Sequence, residues 1–546
     1  MPVATAHVDT FAAANLPPVE SWPDLIFDRP EFQYPDRLNC GAALLDDAVA
    51  AGHGARIAIR APGLVWRYQD LLGHANRIAR VLVEDMGLVP GNRVLLHGPN
   101  TPMLAASWFA VMKAGGIAVT TMPLLRAREL APIVEKAQIS HALCDYRLAD
   151  EISAAKDAAP VLRNIAWFGP GGDLEARIAS KPDDFSNCET AATDTALIGF
   201  TSGTTGGPKG TMHFHRDVMA ICDAFPRSTL KPEADDLFCG SPPLGFTFGL
   251  GGLLLFPLRF GAATLLLEKA SPDHLLDAIG EHHVSVLFTA PTAYRAMLDK
   301  LAKADISSLR RCVSAGEPMP APTFDAWQAA TGIRIIDGIG ATEMLHIFIS
   351  AADDAIRPGA TGRPLPGYEA RLIAADGTPV ATGEVGRLAV RGPTGCRYLA
   401  DERQHSYVQD GWNITGDAYR MDEDGYYWFV ARTDDIILSA GYNISGPEVE
   451  STLLSHPAVA ECAVVGAPDT ERGHIVKAFI VLRPGEAAGG EQTRALQDFV
   501  KQRIAPYKYP RAIEYVEELP KTATGKVQRF RLRDNGALST THRETR

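Results

Sequence analysis

Thr201-Ser202-Gly203-Thr204-Thr205-Gly206-Gly207-Pro208-Lys209-Gly210 is the stretch from which the rest of the chain is best read. Its glycines let the backbone bend so that several N–H groups converge on one anion, while Thr201, Ser202, Thr204 and Thr205 add hydroxyl donors. Lys209 adds a mobile positive charge. The segment reads as a phosphate cradle, with a solvated hairpin turn as the simpler alternative. It is not a Walker loop, because Pro208 stands where the second glycine belongs and Gly210 follows the lysine in place of Ser or Thr. Before it, Ala196-Leu197-Ile198-Gly199-Phe200 reads as a buried strand, which places the loop at the carboxyl end of a sheet, where ligands collect in α/β folds.

Outward from this point, strand-length apolar runs recur at Arg56–Ile59, Arg93–His97, Ile117–Thr121, His141–Cys144, Ala263–Leu267, Val284–Thr289 and Arg334–Asp337. Each is followed by a turn signal and a longer amphipathic segment, the pattern of parallel or mixed sheets covered by helices. From Glu369 to Arg432 the texture changes to short alternating strands, with Asp422-Glu423-Asp424-Gly425 as a hairpin turn. After Arg432 it changes again. Ser445 caps a helix over Glu448–Ser455 with Pro447 in its first turn, strands follow at Ala460–Val465 and Val476–Leu482, and a helix over Glu491–Ile504 places Leu496, Phe499, Val500 and Ile504 on one face. The expected fold class is α/β: a large domain over 1–433 with a β subdomain at about 369–433, then a small α+β domain over 434–546. Ala537 to Arg546 read as a frayed polar end.

The 546 residues exceed what one core supports. A net charge of −12 argues against nonspecific nucleic-acid or anionic-membrane binding, so anionic substrates must be met by local positive groups. The eight cysteines form no close pair and suggest neither a zinc knuckle nor a disulfide framework. The uncharged stretches Val94–Met112 and Leu237–Leu258 are interrupted by prolines and glycines and read as core elements around a pocket, not membrane spans. The first residues lack a signal-peptide pattern, which makes the cytoplasm the default.

The ten-residue loop resembles the phosphate loop of the adenylate-forming superfamily, which includes acyl-CoA synthetases, nonribosomal-peptide adenylation domains and beetle luciferases. Further matches run from about Ala55 to Arg529. In Asp337-Gly338-Ile339-Gly340-Ala341-Thr342-Glu343, a strand runs into glycines and presents a hydroxyl and a carboxylate, a donor set suited to a phosphate and its Mg²⁺. The resemblance gives Thr342 the α-phosphate and Glu343 the metal, with Asp337 and Gly338 beside the nucleotide. Ile339 stands where the commoner pattern has an aromatic. Ser314-Ala315-Gly316-Glu317-Pro318 is similar to the adenine-side loop, assigning Gly316, Glu317 and Pro318 there. Asp417 and Arg432 match a ribose clamp, a carboxylate for two hydroxyls beside a guanidinium fork. Asp434 takes the hinge position, and Ser439, Ala440 and Gly441 the passage for the pantetheine arm of coenzyme A. Lys526, in Pro520-Lys521-Thr522-Ala523-Thr524-Gly525-Lys526, matches the catalytic lysine, whose charge would stabilise the pentacovalent phosphorus.

Together these parts imply a two-step ligase using ATP, Mg²⁺ and coenzyme A. Gly338 to Phe348 resembles benzoate- and 2-aminobenzoate-CoA ligases, which points to a small aromatic carboxylate in a slot made by Phe246, Ala315, Gly316, Ile339, Gly340, Ala341 and His346. His346 is either the polar reader of the ring edge or a structural histidine. A homodimer is compatible with this reading. Three alternatives stay open: a stand-alone adenylation enzyme or a synthetase for another acid, a luciferase-type oxygenase, and an inactive ATP-binding regulator.

Overall fold

In the computed structural model, residues 3–201, 207–432, 435–439, 442–469, 472–521 and 526–533 are described. The apolar runs become strands at Ile57–Ala61, Arg93–His97, Ile117–Thr121, His141–Asp145, Ala263–Leu265, Val286–Thr289 and Ile335–Gly340. Two of them are two residues shorter than the apolar pattern, at the Leu267 and Val284 ends, where Leu266 and Val284 stay buried outside the regular strand.

Two large sheets carry the first part of the chain. A six-stranded sheet runs in the order Asn164–Phe168, His141–Asp145, Arg93–His97, Ile117–Thr121, Thr195–Thr201, Lys209–Phe214. Its strands are parallel except the last pair, Thr195–Thr201 with Lys209–Phe214, which is antiparallel. A nine-stranded sheet is parallel through its centre, from Ile57–Ala61 to Ile335–Gly340, and antiparallel at both ends. Both sheets turn their strand carboxyl ends, Thr201 on one and Gly340 on the other, toward Thr342.

The two uncharged stretches lie in the core. Thr101 caps the buried helix Pro102–Lys113 through Leu104 N–H at 3.2 Å. Next to it, the buried Asn100 donates to Pro242 O at 3.0 Å and accepts from Leu244 N–H at 2.8 Å, binding one stretch to the other. Among the described residues no helix is long and apolar enough to cross a membrane.

Five antiparallel strands between Glu369 and Arg432 form a third sheet around the long strand Trp412–Met421. Asp422 to Tyr426 make its hairpin, with Gly425 at φ 77°. A fourth sheet joins Ile437–Ser439, Tyr442–Ile444, Val459–Asp469, Gly473–Leu482 and Ala512–Tyr515. Two helices cover it. Ser445 caps Gly446–Leu454 by accepting Glu448 N–H at 3.2 Å, and Gly490–Arg503 buries Leu496 and Val500. Phe499 is only partly buried and meets His456 edge-on. Residues Ala537 to Arg546 lie outside the described residues.

Candidate active site

The phosphate-loop stretch connects two antiparallel strands, with Thr201 paired to Lys209. Its connectivity is therefore that of a hairpin. Ser202, Gly203, Thr204 and Thr205 lie outside the described residues; Thr201 and Lys209 frame them. The Thr201 hydroxyl is buried and has no hydrogen-bond partner among the described residues, a donor still to be satisfied.

Strand Thr195–Thr201 packs directly against the Thr342 segment. Gly199 permits this: a Cβ there would lie 2.8 Å from Thr342 Cγ2. The Thr342 main chain is held in turn by His213, whose Nε2 donates to the Thr342 carbonyl at 2.7 Å. His213 Nδ1 lies 3.8 Å from Asp217, and Asp217 pairs with Arg397, both wholly buried. Burial works most strongly against the Asp217 charge, but Arg397, His213 and Arg216 together outweigh it and hold the carboxyl below its ordinary range. Glu343 accepts from the Tyr398 hydroxyl at 2.5 Å and lies 3.8 Å from Lys209 Nζ. Burial, then the Glu343 charge, push the Tyr398 hydroxyl up, so it stays protonated and donates.

A cavity of about 310 Å³ opens beside these residues, with Gly316, Asp337, Asp417, Arg432 and Lys526 in its wall. Asp417 and Arg432 stand opposite each other on paired strands, which explains their 3.0 Å ion pair across fifteen residues of sequence. Gly316 has φ 94°, and a Cβ at that position would lie 3.0 Å from Lys526 Cε. The positive φ favours glycine there, and the absence of a Cβ leaves room for the lysine to lie close. Burial lowers the Lys526 ammonium below its ordinary value while the Glu317 charge pushes it back up. Burial also pushes Asp337 up to about 7.

Glu317, expected beside adenine, accepts the Val527 N–H at 3.0 Å and so ties down the lysine segment. Pro318 and Gly338 line the same cavity, as do Ile339 and Gly340 of the expected acyl slot. Phe246, Ala315, Ala341 and His346 lie outside its wall. His346 is buried among the rings of Phe225, Phe248 and Phe256, with centroids 5.8, 5.7 and 4.5 Å away. Neither ring nitrogen has a hydrogen-bond partner among the described residues, and burial lowers the imidazole to about 3, which keeps it neutral. Ser439 is buried in its strand, away from the cavity. Asp434, Ala440 and Gly441 lie outside the described residues.

Four contributors were missed by reading the sequence: Gly199, His213, Arg397 and Tyr398. A glycine inside an apolar strand run signals close backbone approach, so Gly199 carried a usable hint. The other three act from sites remote in sequence and carry no local signal.

A family model for the AMP-binding enzyme matches residues 46–398, and one for the AMP-binding enzyme C-terminal domain matches 448–526. The chain belongs to the AMP-binding enzyme family. A benzoate–CoA ligase of Thauera aromatica is 35% identical, over 92% of this chain and 97% of its own. A mitochondrial acyl-coenzyme A synthetase of Mus musculus, ACSM3, is 32% identical over 87% of this chain and 85% of its own. Among solved structures, an anthranilate CoA ligase in complex with anthranoyl-AMP superposes with a TM-score of 0.90 at 35% identity, covering 94% of this chain and 100% of that one.

Proposed function

We propose that this protein is an ATP-dependent aromatic carboxylate–CoA ligase, of the benzoate or 2-aminobenzoate type. The observation that carries the proposal is the single cavity in which Lys526 meets Gly316, Asp337 and the Asp417–Arg432 pair. The aromatic acids named for two of the similar proteins support the substrate class.

In the first step the acid's carboxylate oxygen attacks the α-phosphorus of ATP, and the bond to the β-phosphate oxygen breaks, giving acyl-AMP and pyrophosphate. Thr201, Lys209 and the loop between them receive the phosphates. Thr342, fixed by Gly199 and His213, directs its hydroxyl at the α-phosphate, and Asp417 and Arg432 hold the ribose. Lys526 stabilises charge at the reacting phosphorus. Positioning and electrostatics suffice, with no protein nucleophile. In the second step the small domain turns about Asp434, and coenzyme A thiolate, entering past Ser439, Ala440 and Gly441, attacks the acyl carbon and releases AMP.

Among the described residues no group of three or more His, Cys, Asp or Glu forms a resident metal site. Magnesium arriving with the nucleotide needs few protein ligands, and Glu343 fits that need, since Tyr398 and Lys209 engage only its Oε1. When bound, the ion supplies charge neutralisation on the phosphates. His346 lies outside the cavity wall, packed against Phe225, Phe248 and Phe256, so two roles stand for it, reader of the ring edge as a neutral polar group or structural histidine. Acid-dependent ATP–pyrophosphate exchange over a panel of acids tests the reading: benzoate or 2-aminobenzoate should support the fastest exchange, and faster exchange with octanoate would overturn the substrate assignment.

A further inference from the structure

Arg295, on the helix Pro291–Leu298 of the large domain, reaches into the small domain and takes hold of its backbone. Its Nε donates to Ala460 O at 2.6 Å, and its Nη2 donates to Val459 O at 2.9 Å and to Leu454 O at 3.4 Å. Leu454 ends the helix Gly446–Leu454. Carbonyls at a helix end lack intrahelical partners, and a cation there complements the helix dipole. A guanidinium fork serves three acceptors at once, which an ammonium on a single point cannot do in the same geometry.

The helix gripped by Arg295 also carries the lysine segment. Glu450, on that helix, accepts from Arg529 Nη2 on both carboxylate oxygens, at 2.9 and 2.8 Å. Arg529 follows Lys526 by three residues, and Val527 N–H is bound to Glu317 at 3.0 Å. Between the two anchors, Arg295 and Glu317, lies a cleft of about 480 Å³. The domains here touch at discrete points around a gap, so the individual anchors matter.

We infer that Arg295 is a positioning residue that holds the small domain in the adenylate-forming arrangement. It touches no reacting atom and acts through Leu454, Glu450 and Arg529 on Lys526. The inference rests on the ligase reading above, in which the small domain must leave this arrangement before thioester formation.

The test separates the half-reactions. In Arg295→Ala, benzoate- or 2-aminobenzoate-dependent ATP–pyrophosphate exchange should fall about tenfold or more, the scale of several charge-assisted bonds lost together. Conversion of supplied acyl-adenylate and coenzyme A to acyl-CoA should stay near the parent rate, which also shows that the variant folds. Arg295→Lys should fall between the two. Asp299→Ala, which removes an exposed 3.5 Å pair with Arg483 across the same domain boundary while leaving the three Arg295 hydrogen bonds in place, should leave both half-reactions near the parent rate, since an exposed ion pair contributes little. Equal loss in both half-reactions, or no loss in either, overturns the inference. A second readout needs no acid: amide hydrogen exchange at Val527 should accelerate several-fold in Arg295→Ala, and an unchanged rate there overturns the inference on its own. A parent enzyme that exchanges pyrophosphate with no acid would instead reject the ligase reading, leaving the Val527 amide to decide the role of Arg295.

Discussion

Replacing Gly199 with alanine places a methyl group where Thr342 already stands. The new Cβ would lie 2.8 Å from Thr342 Cγ2 and 3.8 Å from Thr247 Cγ2. Carbon atoms at rest sit about 3.5–4.0 Å apart, so the Thr342 side must yield by roughly 1 Å. It has two ways to yield. Its main chain can move, which breaks the 2.7 Å bond from His213, or χ1 can turn, which carries the hydroxyl off its line to the α-phosphate. Overpacking of this kind costs about 1–3 kcal/mol of stability, whereas a 1 Å misplacement at a reacting centre costs ~10²-fold in rate. Gly199→Ala should therefore melt only a few degrees lower yet lose ~10- to 10²-fold in acid-dependent ATP–pyrophosphate exchange, mostly in kcat. Thr342→Ser removes Cγ2 and keeps the hydroxyl, so Gly199→Ala/Thr342→Ser should recover most of the lost rate. An exchange rate unchanged in Gly199→Ala, or a loss that Thr342→Ser fails to relieve, would refute the claim that Thr342 is held against this strand for catalysis.

Lys526→Ala should lower adenylate formation at least ~10²-fold, the usual scale for one preorganised charged donor, while sparing thioester formation from supplied acyl-adenylate; parallel loss in both half-reactions would remove the lysine from the first step. His346→Ala should shift the ratio of kcat/KM between 2-aminobenzoate and benzoate by ~1–3 kcal/mol, as for a buried hydrogen bond gained or left unmade. Equal weakening of both acids would return His346 to a structural role. Burial raises Asp337 from an ordinary 3.8 to about 7, so between those values the folded protein keeps a proton that the unfolded chain releases. This group's contribution to stability then declines as pH rises through that window. Asp337→Asn should flatten the decline in melting temperature between pH 4 and 7 measured without nucleotide, and an unaltered slope would show that the carboxyl is ionised when folded.

Much of this architecture was legible because the strands carry their own signal. Arg93–His97 and Ile117–Thr121 are apolar runs bounded by turn residues, and they fold over those residues. Ser445 with Pro447 marked a helix start that the hydrogen bond to Glu448 reproduces. Asp417 and Arg432 were readable as a pair, and their strand register brings them opposite each other. The return strand Lys209–Phe214 was not legible: Thr211 and His213 are polar residues buried for contacts with distant segments, so the alternation misleads. Tyr398 meets Glu343 from 55 residues away, and Val527 meets Glu317 from 210. Such pairings depend on sheet order and domain docking, which no local window contains.

The most direct test of the acyl-adenylate claim is a single turnover with benzoate labelled with ¹⁸O in both carboxylate oxygens, followed by mass analysis of AMP and the thioester. Attack of a carboxylate oxygen on the α-phosphorus, then cleavage of the acyl carbon–oxygen bond by thiolate, leaves one label in AMP and the other in the thioester carbonyl. The account predicts singly labelled AMP in amount equal to the acyl-CoA formed. Unlabelled AMP, or label recovered in inorganic phosphate together with ADP, would contradict it.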